Sequence, residues 1–121
     1  MSVRNFKETK VYQTAFGLAM EIFHVSKYFS KEEKYSLTDQ IRRSSRSVCA
    51  NLAEAYRKRQ YPAHFASKVS DCGVENSETG VWLDFALACG YITEDVHEAL
   101  IARSGEVGKL LNHMISNPER Y

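Results

Sequence analysis

Hydrophobic side chains recur along nearly the whole chain at intervals of three and four residues, the spacing that aligns them on one face of an α-helix. Four such segments are separated by short polar stretches, and they span about 8–28, 37–58, 62–89 and 94–116. The repeating positions are Val11, Ala15, Leu18, Ile22 and Val25, then Leu37, Ile41, Val48 and Leu52, then Phe65, Val69, Cys72, Leu83 and Ala86, and finally Val96, Leu100, Val107, Leu111 and Met114. We therefore predict four helices and no strand.

Residues typical of helix ends lie at the boundaries of these segments. Ser36 and Asp39 are expected to cap the second helix with hydroxyl and carboxylate oxygens, and Pro62 suits the first turn of the third. Gly90 stands where a left-handed glycine commonly ends a helix, and Thr93 is expected to cap the fourth. Because the connections are short, neighbouring helices are expected to be antiparallel. The predicted fold is an all-α, antiparallel, up-down-up-down four-helix bundle.

The size and composition are those of an ordinary globular domain, with 121 residues of which 44% are hydrophobic and 26% charged. We expect one domain over residues 1–121. The first ten residues are too polar for the apolar core of a signal peptide. The most apolar stretch, residues 81–89, is interrupted by Asp84 and is too short to cross a bilayer. We therefore expect a cytoplasmic protein that does not enter a membrane.

The sequence offers little that is typical of a metal centre or an enzyme. Three cysteines, an odd number without a C-x-x-C motif, argue against a disulfide framework and a thiol metal or redox centre. The four histidines are expected at the surface or at helix ends, and not in the inward-facing Glu-x-x-His pairs of di-iron bundles or a zinc-binding pair. No G-x-S-x-G motif, phosphate-binding loop or dinucleotide-binding glycine motif occurs. We predict no metal site, no cofactor and no enzymatic activity. The histidines are His24, His64, His97 and His113.

Two polar residues, Asn76 and Thr79, interrupt the apolar stripe of the third helix. Buried polar groups cost free energy unless they are hydrogen-bonded, so each is expected to have a partner. One interpretation is a bond across the bundle to Asn51 or Glu54 on the second helix. The alternative is a polar pocket, in which Asn51, Glu54 and Asn76 would serve an enzyme that acts on a small molecule.

The net charge of +1 conceals two halves of opposite sign. Residues 1–60 contain twelve lysines and arginines and six acids, a balance of +6, whereas residues 61–121 contain four and nine, a balance of −5. A basic surface attracts polyanions, but helices of opposite charge also attract each other when they pack within one protein. The charge balance alone leaves both interpretations open.

Six basic residues concentrate on the outward face of the second helix and in the loop that follows it. They are Arg42, Arg43, Arg46, Arg57, Lys58 and Arg59. Guanidinium groups bind phosphate oxygens through paired hydrogen bonds, and the neighbouring Tyr56 and Tyr61 are suited to stack on unpaired bases. These residues are therefore candidates for a nucleic-acid site. The alternative is structural ion pairing with Asp71, Glu75 and Glu78, within one chain or between subunits.

The same region carries a family motif. Residues 29–45 read FSKEEKYSLTDQIRRSS, and residues 47–55 read SVCANLAEA. They resemble the four-helix bundle family of 23S rRNA intervening-sequence proteins, whose pattern is approximately F-P-x-x-E-x-Y-x-L-x-x-Q-x-R-R followed by S-x-x-x-N-I-A-E-G. The matched motif residues are Gln40, Arg42, Arg43, Asn51 and Glu54.

The likeness extends over nearly all of the chain. Residues 11–13 resemble the V-W-Q at the start of the family's first helix, and residues 106–112 resemble its last-helix signature. Ser30 replaces the usual Pro, Tyr12 the usual Trp and Ala55 the usual Gly. These substitutions are conservative for the fold.

The resemblance implies a bundle that assembles as a homopentamer. Some family members are encoded inside insertions in bacterial 23S rRNA genes. A related bundle is the accessory factor of diversity-generating retroelements, where a basic pentamer engages reverse transcriptase and RNA. We accordingly expect a non-enzymatic homo-oligomer that binds RNA through its second-helix surface, with a protein such as a reverse transcriptase as a further expected partner. The alternative is a protein–protein interaction scaffold whose charged surfaces serve oligomerisation.

Overall fold

Four α-helices make up most of residues 5–121, which are the part of the chain that the computed structural model describes. The helices are α1 (Lys10–Ser26), α2 (Leu37–Arg57), α3 (Pro62–Ala88) and α4 (Glu94–Ser116). Short 3₁₀ turns precede α1 and α2 and follow α4, and no strand occurs between residues 5 and 121. The first four residues of the predicted domain lie outside the described residues.

In each pair of neighbouring helices, residues later in one helix contact residues earlier in the other, so the neighbours are antiparallel. Arg42 of α2 contacts Ser26 at the end of α1, and Tyr56 near the end of α2 contacts Phe6 just before α1. Between α2 and α3, Ser44 contacts Thr79 and Glu54 contacts Lys68. Between α3 and α4, Asn76 contacts Ser104 and Asp84 contacts His97. Since α1 also packs against α4, the four helices stand in a ring in chain order. The predicted four-helix bundle is confirmed.

The buried apolar side chains form two clusters, one in each half of the bundle's length. One cluster contains Val11 and Leu52, and the other contains Ile22. Both follow the predicted stripes, except that Val25 and Val96 are half-buried. The 3.6-residue period thus identified the buried face of every helix, because burial of apolar surface is the main force that orients helices in a bundle.

A buried polar layer separates the two apolar clusters; it consists of Ser44, Asn76, Thr79 and Ser104. The hydroxyls of Ser44 and Thr79 share a hydrogen bond of 2.8 Å between α2 and α3. The side-chain amide of Asn76 donates to the carbonyl of Ser104 at 2.9 Å, and the Ser104 hydroxyl donates to Asn76 Oδ1 at 3.2 Å. Every member of the layer therefore has a partner on another helix.

The predicted partners of Asn76 were wrong. Asn76 bonds to α4 and not to Asn51 or Glu54 of α2, whereas Thr79 supplies the link between α3 and α2. Three residues advance a helix by about 300°, so Asn76 and Thr79 diverge by about 60° and face different neighbours. The two polar interruptions of one stripe consequently connect three helices.

Local chemistry sets most helix ends as the sequence predicts. Thr93 accepts a hydrogen bond from the Val96 amide, and Pro62 lies in the first turn of α3. Gly90 adopts a left-handed conformation with φ of 77° after α3, where a side chain would be strained. The first helix begins later than residue 8 because Thr9 caps it, its hydroxyl accepting from the Tyr12 amide.

The start of α2 differs from the prediction, since neither Ser36 nor Asp39 provides the cap. Instead, Oε1 of Glu33 accepts from the Ser36 hydroxyl at 2.7 Å and from the Leu37 amide at 3.4 Å, while the Tyr91 hydroxyl donates to Oε2 at 2.9 Å. The hydrogen bonds from Ser36 and Tyr91 lower the pKa of Glu33 below its ordinary value. The Glu33 carboxylate, in the turn before α2, therefore accepts the hydrogen bonds at the start of the helix. Tyr91 in the α3–α4 connection helps to hold it in place.

Two glycine substitutions should change stability in opposite directions. Gly90→Ala should lower the free energy of unfolding by about 1 kcal/mol, because a Cβ is strained in the left-handed region. Gly105→Ala should raise it by about 0.5–1 kcal/mol, because Gly105 lies within α4 and its added Cβ meets no atom within 4 Å. Urea unfolding measures both, and changes of the same sign would contradict the assignment.

The Glu33 cap should make stability depend on pH in a defined direction. Because its pKa is lowered in the folded state, the carboxylate stabilises the fold above its ordinary pKa of about 4.3 and loses this effect as pH falls through the lower folded value. Thermal unfolding should therefore show Glu33→Gln less stable than the wild type at pH 7, with a difference that shrinks as the pH is lowered below about 4. The exposed neighbour Glu32→Gln is the control, and a difference that persists in acid would contradict the cap.

Candidate nucleic-acid interface

Three of the candidate arginines lie on the first three turns of α2 and border a groove of about 580 Å³, called here the arginine groove. Its lining residues are Lys34, Tyr35, Thr38, Asp39, Arg42, Arg43, Arg46, Ser47 and Ala50. Asp39 is the single acid among them, against four cations. The groove is therefore a positively charged concavity on the outer side of α2.

Arg42 is held in place by the end of α1. Its Nε donates to Ser26 Oγ at 2.8 Å, and Nη2 makes a longer contact of 3.5 Å with the carbonyl oxygen of Phe23. The Ser26 hydroxyl also donates to the Phe23 carbonyl, at 3.0 Å. A cation at the C-terminus of a helix interacts favourably with the helix dipole and with the last carbonyls. Arg42 consequently joins α1 to α2 and is half-buried.

The ring of Phe23 gathers three cations. The guanidinium carbons of Arg42 and Arg46 lie 4.9 Å and 5.8 Å from the ring centroid, and Nζ of Lys27 lies 4.7 Å from it. Cations are attracted to the face of an aromatic ring, so Phe23 helps to hold like charges close together. Arg46 is exposed to solvent, as is Arg43. Their donors face outward, where a ligand could reach them.

The arginines of the groove do not pair with the acids that the structural alternative names. None of the ion pairs between residues 5 and 121 involves Arg42, Arg43 or Arg46. Asp71 lies 3.9 Å from the Lys68 ammonium instead. Within one chain, therefore, the basic face is not neutralised by the acidic residues of α3.

The other three candidates form a separate group at the far end of α2. Arg57, Lys58 and Arg59 begin about 16 Å beyond Arg46 along the helix axis, at 1.5 Å per residue. The Arg59 guanidinium lies over the ring of Tyr56, 4.6 Å from its centroid, and Nε donates to the Tyr56 carbonyl at 3.0 Å. All three side chains are exposed. The six predicted residues thus divide into two basic groups on one helix.

The aromatic neighbours of these groups differ in exposure. Tyr56 is only 6% exposed and packs into the core, so it cannot stack on a base, whereas Tyr61 is 52% exposed. Sequence reasoning missed Tyr35, which is 84% exposed and lines the arginine groove. Its place in the family motif, two residues before α2, was the signal that could have identified it.

The polar motif residues do not form one site. Gln40 lines a second pocket of about 400 Å³ together with Trp82 and Phe85, on the side of α2 that faces α3. Asn51 is half-buried, and Glu54 is exposed with its carboxylate 3.3 Å from Nζ of Lys68. Asn76 belongs to the polar layer and faces α4. The structure therefore does not bring Asn51, Glu54 and Asn76 together as the enzyme interpretation requires.

The sequence contains the Glu-x-x-His spacing twice, a signal that the sequence-based expectation overlooked. The pairs are Glu21 with His24 and Glu94 with His97. Glu21 instead forms an ion pair with Arg103, His24 and Glu94 are exposed, and His97 Nε2 lies 2.8 Å from Asp84. Between residues 5 and 121, no group of three or more His, Cys, Asp or Glu side chains could hold a metal ion.

Two of the three thiols are sequestered from reaction. Burial raises the pKa of Cys49 to about 11 and that of Cys72 to about 12, so both are protonated at neutral pH and are poor nucleophiles. Cys89 is exposed at the end of α3. No helix in the described part of the chain is long and apolar enough to cross a membrane.

Comparison with known proteins identifies the family. The profile of the 23S rRNA-intervening sequence protein family matches residues 7–113, which is most of the chain. The chain belongs to the 23S rRNA-intervening sequence protein family. The predicted resemblance is thereby confirmed. The match includes α1, α2, α3 and nearly all of α4, so the arginine groove lies within the family region.

A solved structure supports the assignment of this 23S rRNA-intervening sequence protein. It is a protein of unknown function from the S23 ribosomal protein family of Bacteroides thetaiotaomicron, with 32% sequence identity and a TM-score of 0.79. The alignment covers 88% of this chain and 95% of that one. A comparison with curated proteins gives no match.

Arg42 and Arg43 should differ in their effect on stability although they are adjacent in sequence. Arg42→Ala should lower the free energy of unfolding by about 1–2 kcal/mol, because it removes a charge-assisted hydrogen bond at a half-buried site. Arg43→Ala should change it by less than about 0.5 kcal/mol, because Arg43 is exposed. Urea unfolding of both variants tests this, and equal losses would contradict the role given to Arg42.

Proposed function

We propose that this 23S rRNA-intervening sequence protein is a non-enzymatic, cytoplasmic homo-oligomer that binds RNA along the arginine groove. The observation that carries the proposal is the groove itself, where Arg42, Arg43, Arg46 and Lys34 face one acid and form no ion pair within the described chain. Clustered, solvent-exposed cations in a concavity attract a phosphate backbone. The name of the family, which refers to 23S rRNA, agrees with this ligand.

Each residue of the groove has a separate proposed role. Arg43 and Arg46 present guanidinium forks that suit bidentate contacts with phosphate oxygens. Arg42, fixed by Ser26 and Phe23, supplies a positioned charge at the side of the groove. Tyr35 offers an exposed ring on which an unpaired base can stack. Backbone contacts of this kind position the RNA but read little of its sequence.

Self-association would strengthen such binding. Repetition of the groove in several copies lets one RNA engage more than one site, so the contacts act together. The resemblance implies five copies, and we propose that number. The group of Arg57, Lys58 and Arg59 extends the basic surface along α2 in each copy. A protein partner, for which a reverse transcriptase is the expected example, would engage the same assembly.

The second candidate function is a scaffold for protein–protein contacts in which the charges serve assembly. The observation that favours it is the exposure of large apolar side chains on α1, α3 and α4, such as Phe16, Val74 and Ile115. In that case Arg43 would pair with Glu75 or Glu78 of a neighbouring copy. Charge reversal in the groove would then dissociate the assembly.

A double charge reversal tests the proposed site. Arg43→Glu with Arg46→Glu should weaken RNA binding by at least 100-fold at low salt, because it replaces phosphate contacts with repulsion. The dependence of log affinity on log salt should also become shallower, by about 0.7 for each single-strand phosphate contact that is lost. Fluorescence anisotropy with a labelled mixed RNA pool across a salt series measures both quantities.

The matched control carries the same change in charge at the other basic group, as Arg57→Glu with Lys58→Glu. We expect a smaller loss, because this group lies beyond the groove. Equal losses in the two variants, or unchanged binding in the first, would contradict the groove as the main site. Circular dichroism checks the fold, and oligomer mass is measured in the same buffers. Loss of RNA binding by a first variant that keeps the wild-type oligomer mass would assign the arginines to RNA, and dissociation of that variant would assign them instead to contacts between copies.

A further inference from the structure

An apolar ridge follows the outer side of α1. Tyr12, Phe16, Met20 and Phe23 lie three or four residues apart, and the rings of Tyr12 and Phe16 are stacked with centroids 6.0 Å apart. Phe16 is 50% exposed and Met20 is 40% exposed. Exposed apolar side chains that form a continuous stripe commonly mark a contact with another molecule. We call these four residues the α1 ridge.

A groove of about 680 Å³ that contains several exposed apolar side chains runs between α3 and α4 and is called here the α3–α4 groove. Val74, Val81 and Ile115 line it and are 60%, 48% and 44% exposed. Two glycines, Gly73 and Gly108, contribute to the lining from facing helices, and a Cβ added at Gly73 would meet no atom within 4 Å. The small residues leave a trough that both apolar and polar side chains line.

The ridge and the groove lie on opposite faces of the bundle. Phe23 contacts Arg42 and Arg46 of α2, and Tyr12 packs against the same core cluster as Cys49 of α2, so the ridge lies on the α1–α2 face. Because the helices form a ring in chain order, this face is opposite the α3–α4 face. A single copy cannot place its own ridge in its own groove.

The two surfaces also differ in charge. Lys27, Arg42 and Arg46 gather beside the ridge at the ring of Phe23. Glu78 is the one charged residue that lines the α3–α4 groove. Contact between two ridges would oppose like cations, and contact between two grooves would leave the trough unfilled. Contact between a ridge and a groove brings opposite charges together and fits a convex surface to a concave one.

We infer that the α1 ridge of one copy docks into the α3–α4 groove of a second copy. This inference rests on the self-association in the proposed function and assigns the surfaces that meet. Because the two surfaces differ, the contact is head-to-tail, and a docked pair still offers one free ridge and one free groove. Such contacts continue until a ring closes, or they extend as a filament.

Two substitutions, one on each surface, test the pairing. Phe16→Asp should abolish assembly through the ridge, and Val74→Asp should abolish it through the groove, so each variant alone should have the mass of one chain. In an equimolar mixture, the intact groove of the first variant should accept the intact ridge of the second. Sedimentation or native mass measurement should then show a complex of two chains, one of each variant, that grows no further.

The control variants and measurements distinguish a loss of assembly from a loss of folding. Tyr28→Asp, at a position that is 83% exposed and outside both surfaces, should retain the wild-type mass. Met20→Asp repeats the test at a second ridge position, and circular dichroism checks helical content. If the mixture stays as single chains while the wild type is assembled, the pairing of surfaces is wrong. A wild type that is itself a single chain would overturn self-association as well, and RNA binding would then be judged separately by the charge-reversal variants.

Discussion

The hydrogen bonds of the polar layer fix how far α2, α3 and α4 are displaced along their axes relative to one another. Ser44 and Thr79 connect α2 to α3, and the reciprocal bonds of Asn76 and Ser104 connect α3 to α4. A helix that moved by one turn could still bury apolar side chains, but it would leave these polar groups unpaired at a cost of about 1–3 kcal/mol each. The layer therefore specifies one register among several that hydrophobic packing alone would accept. The trough between α3 and α4, which residues of both helices line, depends on that register.

The second helix serves the core and the candidate interface at the same time. Its buried face contributes Ile41, Val48 and Leu52, while the opposite face carries the arginines. Arg42 belongs to both, because its stem and guanidinium pack on α1 while it borders the groove. The direction in which the groove faces is therefore set by the same contacts that hold α1 against α2. A basic surface of this kind is built into the bundle and is not an appendage.

Much of the fold could be predicted because its causes are local. The apolar stripes, the cap at Thr93 and the left-handed Gly90 follow from helical periodicity and backbone sterics. The cap at α2 could not be predicted in this way, because Glu33 is oriented by Tyr91, which is distant in sequence. The partner of Asn76 likewise depends on how α3 is rotated between its neighbours.

The candidate site was predictable in composition but not in arrangement. The six basic residues could be found by counting charge, yet their division into two groups follows from the length of α2. Exposure of Tyr35 and burial of Tyr56 depend on packing with other elements, which spacing along one helix does not reveal. The two Glu-x-x-His pairs were overlooked in the sequence, and their spacing makes no metal site because Glu21 pairs with Arg103 and His97 with Asp84.

The distribution of the thiols has a consequence for the chain under oxidising conditions. Cys49 and Cys72 are protonated within the core, so alkylating reagents and disulfide exchange would act first on Cys89, at the exposed end of α3. Oxidation would accordingly join one chain to another at a single point and would leave the bundle's interior unmodified. The folded protein thus carries one natural position for attaching a fluorophore or a spin label. Labelling loses this selectivity only when unfolding exposes Cys49 and Cys72.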